Sequence, residues 1–474
     1  MSSASRTRPG WTLAIVSIAL FMTALDNLVV GVALPSIRAD LNGSIETLEW
    51  TVNAYTLSFA VFLLTGAALG DRFGRKRMFI IGLGMFTLAS AASALAPSIE
   101  ALIAARAVQG FGAAIVTPLT LTLLSEAVPA QKRGLALGVW AGVTGLGVAM
   151  GPLVGGAVVQ GISWHWIFWL NVPIGLALLP LAFRLLTESR GPNERLDLAG
   201  LALAGTGLLG LTFGIVRANA LGWTSATVVA SLTAGVVLLG AFLAWERHTS
   251  QPMLPPRFFR SRGFSATNAA SFAMFFGTFG SVFLLSQFFQ IAQGLGPLEA
   301  GARTLPWTAM PMLVAPLAGV LSDRIGSRPL MVAGLALQSV AIFWLGRTSA
   351  PDTPYGELIV PLAMAGLGMA LVFAPSANAV LSSVRQTEAG QASGATNAIR
   401  EVGGVMGVAV LAGVFVAHGG YTDPQAFSDG VSAALPIGAA VLAAGALAAL
   451  LVPGRRRAAA PAVEEREAMV ASAA

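Results

Sequence analysis

Apolar stretches of 18 to 26 residues recur along the whole chain, separated by short polar punctuation rich in Arg, Gly and Pro. They run at about 11–34, 50–70, 78–96, 101–124, 135–158, 165–186, 196–216, 224–245, 264–289, 300–321, 329–346, 358–381, 394–417 and 432–452. A helix needs about 20 apolar residues to cross the hydrocarbon core of a bilayer. Each run is therefore long enough for one crossing, and the pattern predicts an all-α polytopic membrane protein with 14 transmembrane helices. Composition agrees. Of 474 residues, 55% are hydrophobic and 11% charged, with mean hydropathy +0.75. Soluble domains carry roughly 25% charged residues, so this chain could not cover a water-facing surface.

The polar residues sort by side. Alternating crossings from a cytoplasmic N-terminus place 23 of the 28 basic residues on one side, Arg385, Arg400 and the Arg455–Arg457 cluster included. The positive-inside rule then predicts cytoplasmic termini and an even number of crossings. It also accounts for a pI near 10.6 without nucleic acid as a partner. Arg6 and Arg8 precede the first run as in a secretory signal, but no small-x-small cleavage site follows and Asp26 interrupts the run. An uncleaved first crossing is expected. There is no Cys, the three His are far apart, and neither Lys76 nor Lys132 lies in a phosphate-binding loop. Thiol chemistry is excluded, no metal or other cofactor is expected, and nothing suggests an enzyme or an ATP-driven pump.

An internal repeat organises the chain. Leu69-Gly70-Asp71-Arg72-Phe73-Gly74-Arg75-Lys76 after the second run returns as Leu321-Ser322-Asp323-Arg324-Ile325-Gly326-Ser327-Arg328 after the tenth, 252 residues on. Gly110 and Gly112 with Pro118 return as Gly366 and Gly368 with Pro375. Gly134, Gly138, Gly147 and Gly151 return as Gly390, Gly394, Gly403 and Gly407. Three matches in order imply duplication, and parallel repeats related by an axis along the membrane normal are the plan of transporters with a central substrate site. The expected organisation is a six-helix bundle over 1–190, two additional helices and a linker over 191–262, and a second six-helix bundle with a tail over 263–474.

Several motifs carry a family resemblance. Leu25-Asp26 with Ala33-Leu34-Pro35, Trp50 and Tyr55, the Asp71 loop, and Arg106-Ala107-Val108-Gln109-Gly110 occur in order. Gly147-Val148-Ala149-Met150-Gly151-Pro152 with Gly155 and Gly156, and Trp164-His165-Trp166-Ile167-Phe168 with Asn171 and Pro173, complete the set. From about Leu25 to Leu451 the chain resembles the fourteen-span drug–proton antiporter branch of the major facilitator superfamily. Ala67, Leu28, Gly31 and His165 depart from the pattern, but none removes a charge from the membrane interior.

The resemblance implies roles, each beside a plainer one. Asp26 and Arg106 are intramembrane charges, which normally face a cavity or a partner. An adjacent cation favours an ionised carboxylate and burial favours the neutral acid. A pair balanced between the two could couple proton uptake to transport, or could be a static tie between the first and fourth crossings. Asp71, Arg72, Gly74 and Arg75, with Asp323 and Arg324, would form a cytoplasmic gate in which Asp caps a neighbouring helix N-terminus; a topogenic turn explains the Arg residues but not the repeated Asp. Gly147, Gly151, Pro152, Gly155 and Gly156 permit close helix packing, and the resemblance adds an antiporter role. Trp50, Asn53, Tyr55, Gln109, Phe276, Phe279, Gln287, Asn397 and Glu401 are candidate cavity residues. The Phe stripe from Phe272 to Phe283 could equally face lipid, and Trp164 and Trp166 read as interfacial.

The expected function is proton-coupled export of small hydrophobic or amphiphilic compounds, of the multidrug type. The alternatives are a dedicated exporter of one metabolite or self-made antibiotic and, more remotely, a non-transporting sensor or scaffold. The expected partners are cargo, protons and lipid, with a monomeric transport unit in a bacterial cytoplasmic membrane.

Overall fold

In hydrocarbon a backbone N–H or C=O has no water to bond, so an isolated apolar run must satisfy its own hydrogen bonds as a helix. The computed structural model describes residues 9–42, 45–129, 132–191, 197–249 and 252–454, and among these there is no strand. Fourteen helices account for the runs: α1 (Pro9–Leu41), α2 (Ile45–Phe73), α3 (Arg75–Ala94), α4 (Ile99–Ala127), α5 (Arg133–Gly161), α6 (Asn171–Leu185) and α7 (Leu198–Leu221). They continue with α8 (Ala226–Glu246), α9 (Arg262–Gln287), α10 (Met310–Ile325), α11 (Ser327–Thr348), α12 (Tyr355–Ser382), α13 (Ala389–His418) and α14 (Pro424–Ala449). Thirteen of them, α6 and α10 taken together with the short turns that precede them (Trp166–Leu185 and Leu305–Ile325), are long and apolar enough on their described residues to cross a membrane. The other is α5, 29 residues long. The basic residues Arg6, Arg8, Arg195, Arg455, Arg456, Arg457 and Arg466 lie outside the described residues, as do the side chains of Leu28 and Pro152.

Helix ends are set by local chemistry. Ser98, Asp197, Ser225, Ser261 and Asp423 each accept a hydrogen bond from a first-turn N–H at the start of α4, α7, α8, α9 and α14, meeting donors that have no intrahelical partner. Two predicted runs are broken. The tenth is delivered as Pro297–Arg303, Leu305–Thr308 and then α10, because Pro306 and Pro311 bring no N–H to continue the ladder. The sixth begins with a single turn, Trp166–Trp169, before α6.

Within α1–α6 the main packing pairs are α2 with α4, α3 with α4 and α1 with α5; within α9–α14 they are α9 with α13, α11 with α12 and α11 with α14. The two sets meet along two seams, α5 against α10 and α2 against α13. The repeat superimposes α2 on α10 and α5 on α13, so the seams exchange under the two-fold. The additional helices do not lie between the sets. Helix α8 packs mainly on α7, and α7 lies against α2 and α13, so a pair central in the chain is peripheral in space. The linker that follows is anchored: Met253, Leu254 and Phe258 are buried against α2, α7 and α13.

The glycines of α5 make two stripes. A Cβ on Gly138 would lie 2.5 Å from the Ala315 carbonyl oxygen of α10, whereas one on Gly147 or Gly155 would press on Ala24 or Val29 of α1. In the repeat, Gly394 faces Ala67 of α2, and Gly403 and Gly407 face Phe272 and Phe276 of α9. Close helix approach, which small residues permit, thus accounts for the repeated glycines, one of the two stripes on each helix lying at a seam and the other inside its bundle.

Candidate functional site

Asp26 of α1 is wholly buried, and donors from two other helices converge on its carboxylate. Its Oδ2 accepts Arg106 Nη1 of α4 at 2.5 Å, while Oδ1 accepts Gln109 Nε2 at 2.9 Å and Asn171 Nδ2 of α6 at 2.7 Å. Arg106 also donates through Nη1 to Gln109 Oε1 at 2.8 Å and through Nε to the Thr51 carbonyl at 3.2 Å. Asn171 donates further to Ser90 Oγ at 3.0 Å, and Ser90 to the Phe168 carbonyl at 2.9 Å. Charge-assisted hydrogen bonds of this kind are roughly twice as strong as neutral ones. They satisfy a charge that would otherwise be costly at membrane depth. Arg106 Nη2 has no hydrogen-bond partner among the described residues.

Next to this cluster, between the two bundles, lies a cavity of about 110 Å³. Asn27 of α1, Tyr55 of α2, Trp140 of α5, Phe279 of α9, Phe373 of α12 and Glu401 of α13 represent the helices that wall it. Tyr55 belongs to both places: its ring lines the cavity and sits 4.2 Å from the Arg106 guanidinium carbon. A drug-sized pocket runs to roughly 300–1,000 Å³, so cargo of that size requires the bundles to separate.

Two carboxylate contacts, called latches below, bridge the bundles at one end. Asp323, at the end of α10, accepts the Gly134 N–H at the start of α5 at 3.0 Å, and Asn378 Nδ2 at 3.2 Å. Asp71, near the end of α2, accepts Arg75 Nε at 2.9 Å and Nη2 at 2.7 Å on Oδ1, and its Oδ2 has no hydrogen-bond partner among the described residues. This carboxylate rests on the first turn of α13, where a Cβ on Gly390 would come within 2.4 Å of Oδ1. The positive end of the helix dipole faces a carboxylate at both latches. Arg75 extends the Asp71 latch to Glu126 and to the Thr387 carbonyl at 3.2 Å, so it touches both bundles. Gly74 and Gly326 turn the chain at φ 108° and 91°, a region in which only glycine sits without strain. Arg72 is exposed and stacks on Phe73; Arg324 is also exposed.

Several candidates sit elsewhere than the sequence reading placed them. Trp50 packs against Phe213 of α7, with ring centroids 6.3 Å apart, because the additional helices cover that face of α2. Gln109 is spent in the Asp26 cluster. Phe276 faces α13, where a Cβ on Gly407 would meet its carbonyl oxygen; Phe275, one residue earlier, lines the cavity and stacks on Phe279 and Phe373. Gln287 accepts the Tyr421 hydroxyl at 3.0 Å at the far end of α9. Asn53 is not among the cavity-lining residues; Tyr55, Phe279, Asn397 and Glu401 are. Trp164 is buried and donates to Asp40 at 3.0 Å, so it is no interfacial anchor.

Arg400 is the largest correction. Counted with the basic loops, it is instead 1% exposed inside α13 and lines the cavity. It donates to Ser376 Oγ at 2.8 Å and lies over the rings of Phe275 and Phe373, at 5.6 and 5.1 Å. Its Nε has no hydrogen-bond partner among the described residues. The polar start of α13 hides where the apolar segment begins, and the adjoining Glu401 is the one cue to a buried position.

Two helical bundles that meet at a charged cavity, with paired carboxylate contacts at one end, match the plan of membrane transporters built from parallel repeats. Comparison with known proteins sharpens this. Residues 16–408, and again 270–472, match the family model of the Major Facilitator Superfamily, and the chain belongs to that superfamily, in its drug-exporter branch. It is 33% identical to the tetracenomycin C resistance and export protein of Streptomyces glaucescens over 90% of this chain and 80% of that one. It is 35% identical to a multidrug resistance protein of Mycobacterium tuberculosis over 86% of this chain and 76% of that one. Among solved structures, the human organic anion transporter MFSD10 shares the fold at a TM-score of 0.66 and 14% identity, over 93% of this chain and 99% of that one.

Proposed function

We propose that this protein exports small hydrophobic or amphiphilic compounds in exchange for protons, by alternating access. The observation that carries the proposal is Asp26: a buried carboxylate tied to α4 and α6, next in sequence to the cavity-lining Asn27, and bonded to an Arg106 that lies against the cavity-lining ring of Tyr55. A proton on Asp26 removes the charge that holds Arg106, Gln109 and Asn171 together, so the ties among α1, α4 and α6 loosen at once. Tyr55 and Asn27 then pass the change to the cavity wall. The aromatic lining suits aromatic or amphiphilic cargo. The basic end, with its two latches, faces the cytoplasm in this reading, and the protein resides in a bacterial cytoplasmic membrane as a monomeric unit.

Export of one antibiotic by the Streptomyces relative and multidrug resistance in the Mycobacterium relative support export without deciding its breadth. A dedicated exporter is the second reading. The test is a cargo screen in an efflux-deficient host, with the protein set beside its Asp26→Asn variant. Protection against several unrelated compounds, lost in the variant, supports the multidrug reading. Protection against one compound supports the dedicated reading, and none at normal abundance contradicts both.

A further inference from the structure

A second recess, of about 600 Å³, opens at the basic end, away from the cavity between the bundles. The linker from α8 to α9 and the start of α13 wall it, and its charged residues are Glu246, Arg247, Arg257, Arg260, Arg385 and Glu388. Glu388 is engaged through ion pairs, whereas Glu246 uses one oxygen and leaves Oε1 without a partner among the described residues, so four Arg stand against two carboxylates. Glu388 binds Arg257 and Arg385, and Glu246 accepts the Leu254 N–H at 3.0 Å. Arg247 and Arg260 are exposed and have no acidic partner among the described residues. The recess therefore offers uncompensated guanidinium groups, the donors that bind phosphate most readily.

A groove between α8 and α13 continues the recess toward the membrane interior. Along α8, Glu246 of the recess is followed one turn up by Phe242 and Leu243 of the groove, and then by Leu239. Along α13, Gln391 of the recess is followed by Ala395, Ala398 and Val402 of the groove. Steps of three and four keep each series on one helix face. The linker divides in the same way, with Leu254 and Phe259 in the groove and Pro255 and Arg260 in the recess. Every side chain lining the groove is apolar.

A basic recess at a membrane surface, continuous with an apolar groove that runs into the bilayer, has the chemistry of one amphiphile. We propose that it holds an anionic phospholipid, with the phosphate at Arg247 and Arg260 and one acyl chain between α8 and α13. A soluble phosphate compound would use the recess and leave the groove unexplained. Bound there, the lipid ties the additional helices to α13, whose first turn receives the Asp71 latch.

Native mass spectrometry of the full chain, released from nanodiscs of equal parts dioleoyl-phosphatidylglycerol and dioleoyl-phosphatidylcholine, reads the lipid retained. One phosphatidylglycerol should be held in preference to phosphatidylcholine. The double variant Arg247→Gln/Arg260→Gln should lower that retention about tenfold, since each surface charge contributes a several-fold factor to anionic-lipid binding. Leu243→Trp, which fills the groove from an exposed position, should lower it as well, and thermal melting in phosphatidylcholine checks that both variants fold. Arg184→Gln/Arg190→Gln, an equal charge loss elsewhere on the same end, should change nothing. Equal retention of phosphatidylcholine, equal loss in that control, or no effect of Leu243→Trp would overturn the proposal. Displacement of the lipid by inorganic phosphate alone would also overturn it, in favour of an ion site without a chain.

Discussion

The Tyr55 ring lies 4.2 Å from the guanidinium carbon of Arg106 and also lines the cavity, so it touches both the Asp26 cluster and the cavity. Its hydroxyl reaches the Thr23 carbonyl of α1 only at 3.4 Å, so the ring matters more than the hydroxyl. A cation over a desolvated ring is worth about 2 kcal/mol. Tyr55→Phe should keep that contact and transport close to the parent protein. Tyr55→Ala should open Asp26 to the cavity and let protons pass without cargo, read as faster collapse of a pH gradient in proteoliposomes containing no cargo.

The latches can be tested without background labelling, because the chain has no cysteine. Ser393 is fully buried at the seam and donates to the Pro118 carbonyl across the two bundles at 3.1 Å. In a Ser393→Cys protein, Asp71→Asn or Asp323→Asn should raise labelling by a water-soluble thiol reagent about fivefold, which corresponds to losing one hydrogen bond of about 1 kcal/mol. Unchanged labelling would reduce these loops to topogenic turns.

Steric closure makes a separate prediction. A Cβ on Gly134 would lie 2.2 Å from both Asp323 Oδ2 and the Gly319 carbonyl oxygen, whereas Gly161 has nothing within 4 Å. Gly134→Ala should destabilise the closed end by about 1–3 kcal/mol, as overpacking does, and Gly161→Ala should be neutral. Thermal unfolding of the two variants compares them directly.

Arg400 bears on what the cavity accepts. Among the described residues its guanidinium bonds Ser376 alone and is flanked by two Phe rings, so an acidic group on an aromatic cargo has a ready partner. Arg400→Met keeps much of the volume and removes the charge. It should weaken binding of naphthoate about tenfold or more, the size of a charged hydrogen bond, and leave naphthamide within about threefold. Equal losses for both would assign Arg400 to structure alone.

The crossings were legible because bilayer thickness and hydropathy fix them, and the two-fold was legible because Asp71 and Asp323 recur in matching surroundings. Asp26 and Arg106 stood out as charges in apolar runs. Asn171 and Ser90 did not, since neutral polar side chains are ordinary in a span until packing of α3 on α6 aims them. The phase of the Phe stripe was not legible either. Phe275 and Phe276 differ by 100° on a helix, and the Gly407 backbone chooses between them. Trp50 escaped because α7, which covers it, lies outside the repeat.

Replacing Asp26 with Asn keeps size but leaves Arg106 buried without its counter-charge, and breaking a buried pair costs about 3–5 kcal/mol. Abundance and melting must therefore be measured alongside transport. In proteoliposomes carrying equal amounts of folded protein, an imposed pH gradient should drive cargo uphill with the parent protein. With Asp26→Asn it should have no effect, while downhill cargo exchange persists. If the variant still concentrates cargo when a pH gradient is the only driving force, Asp26 is not the coupling site.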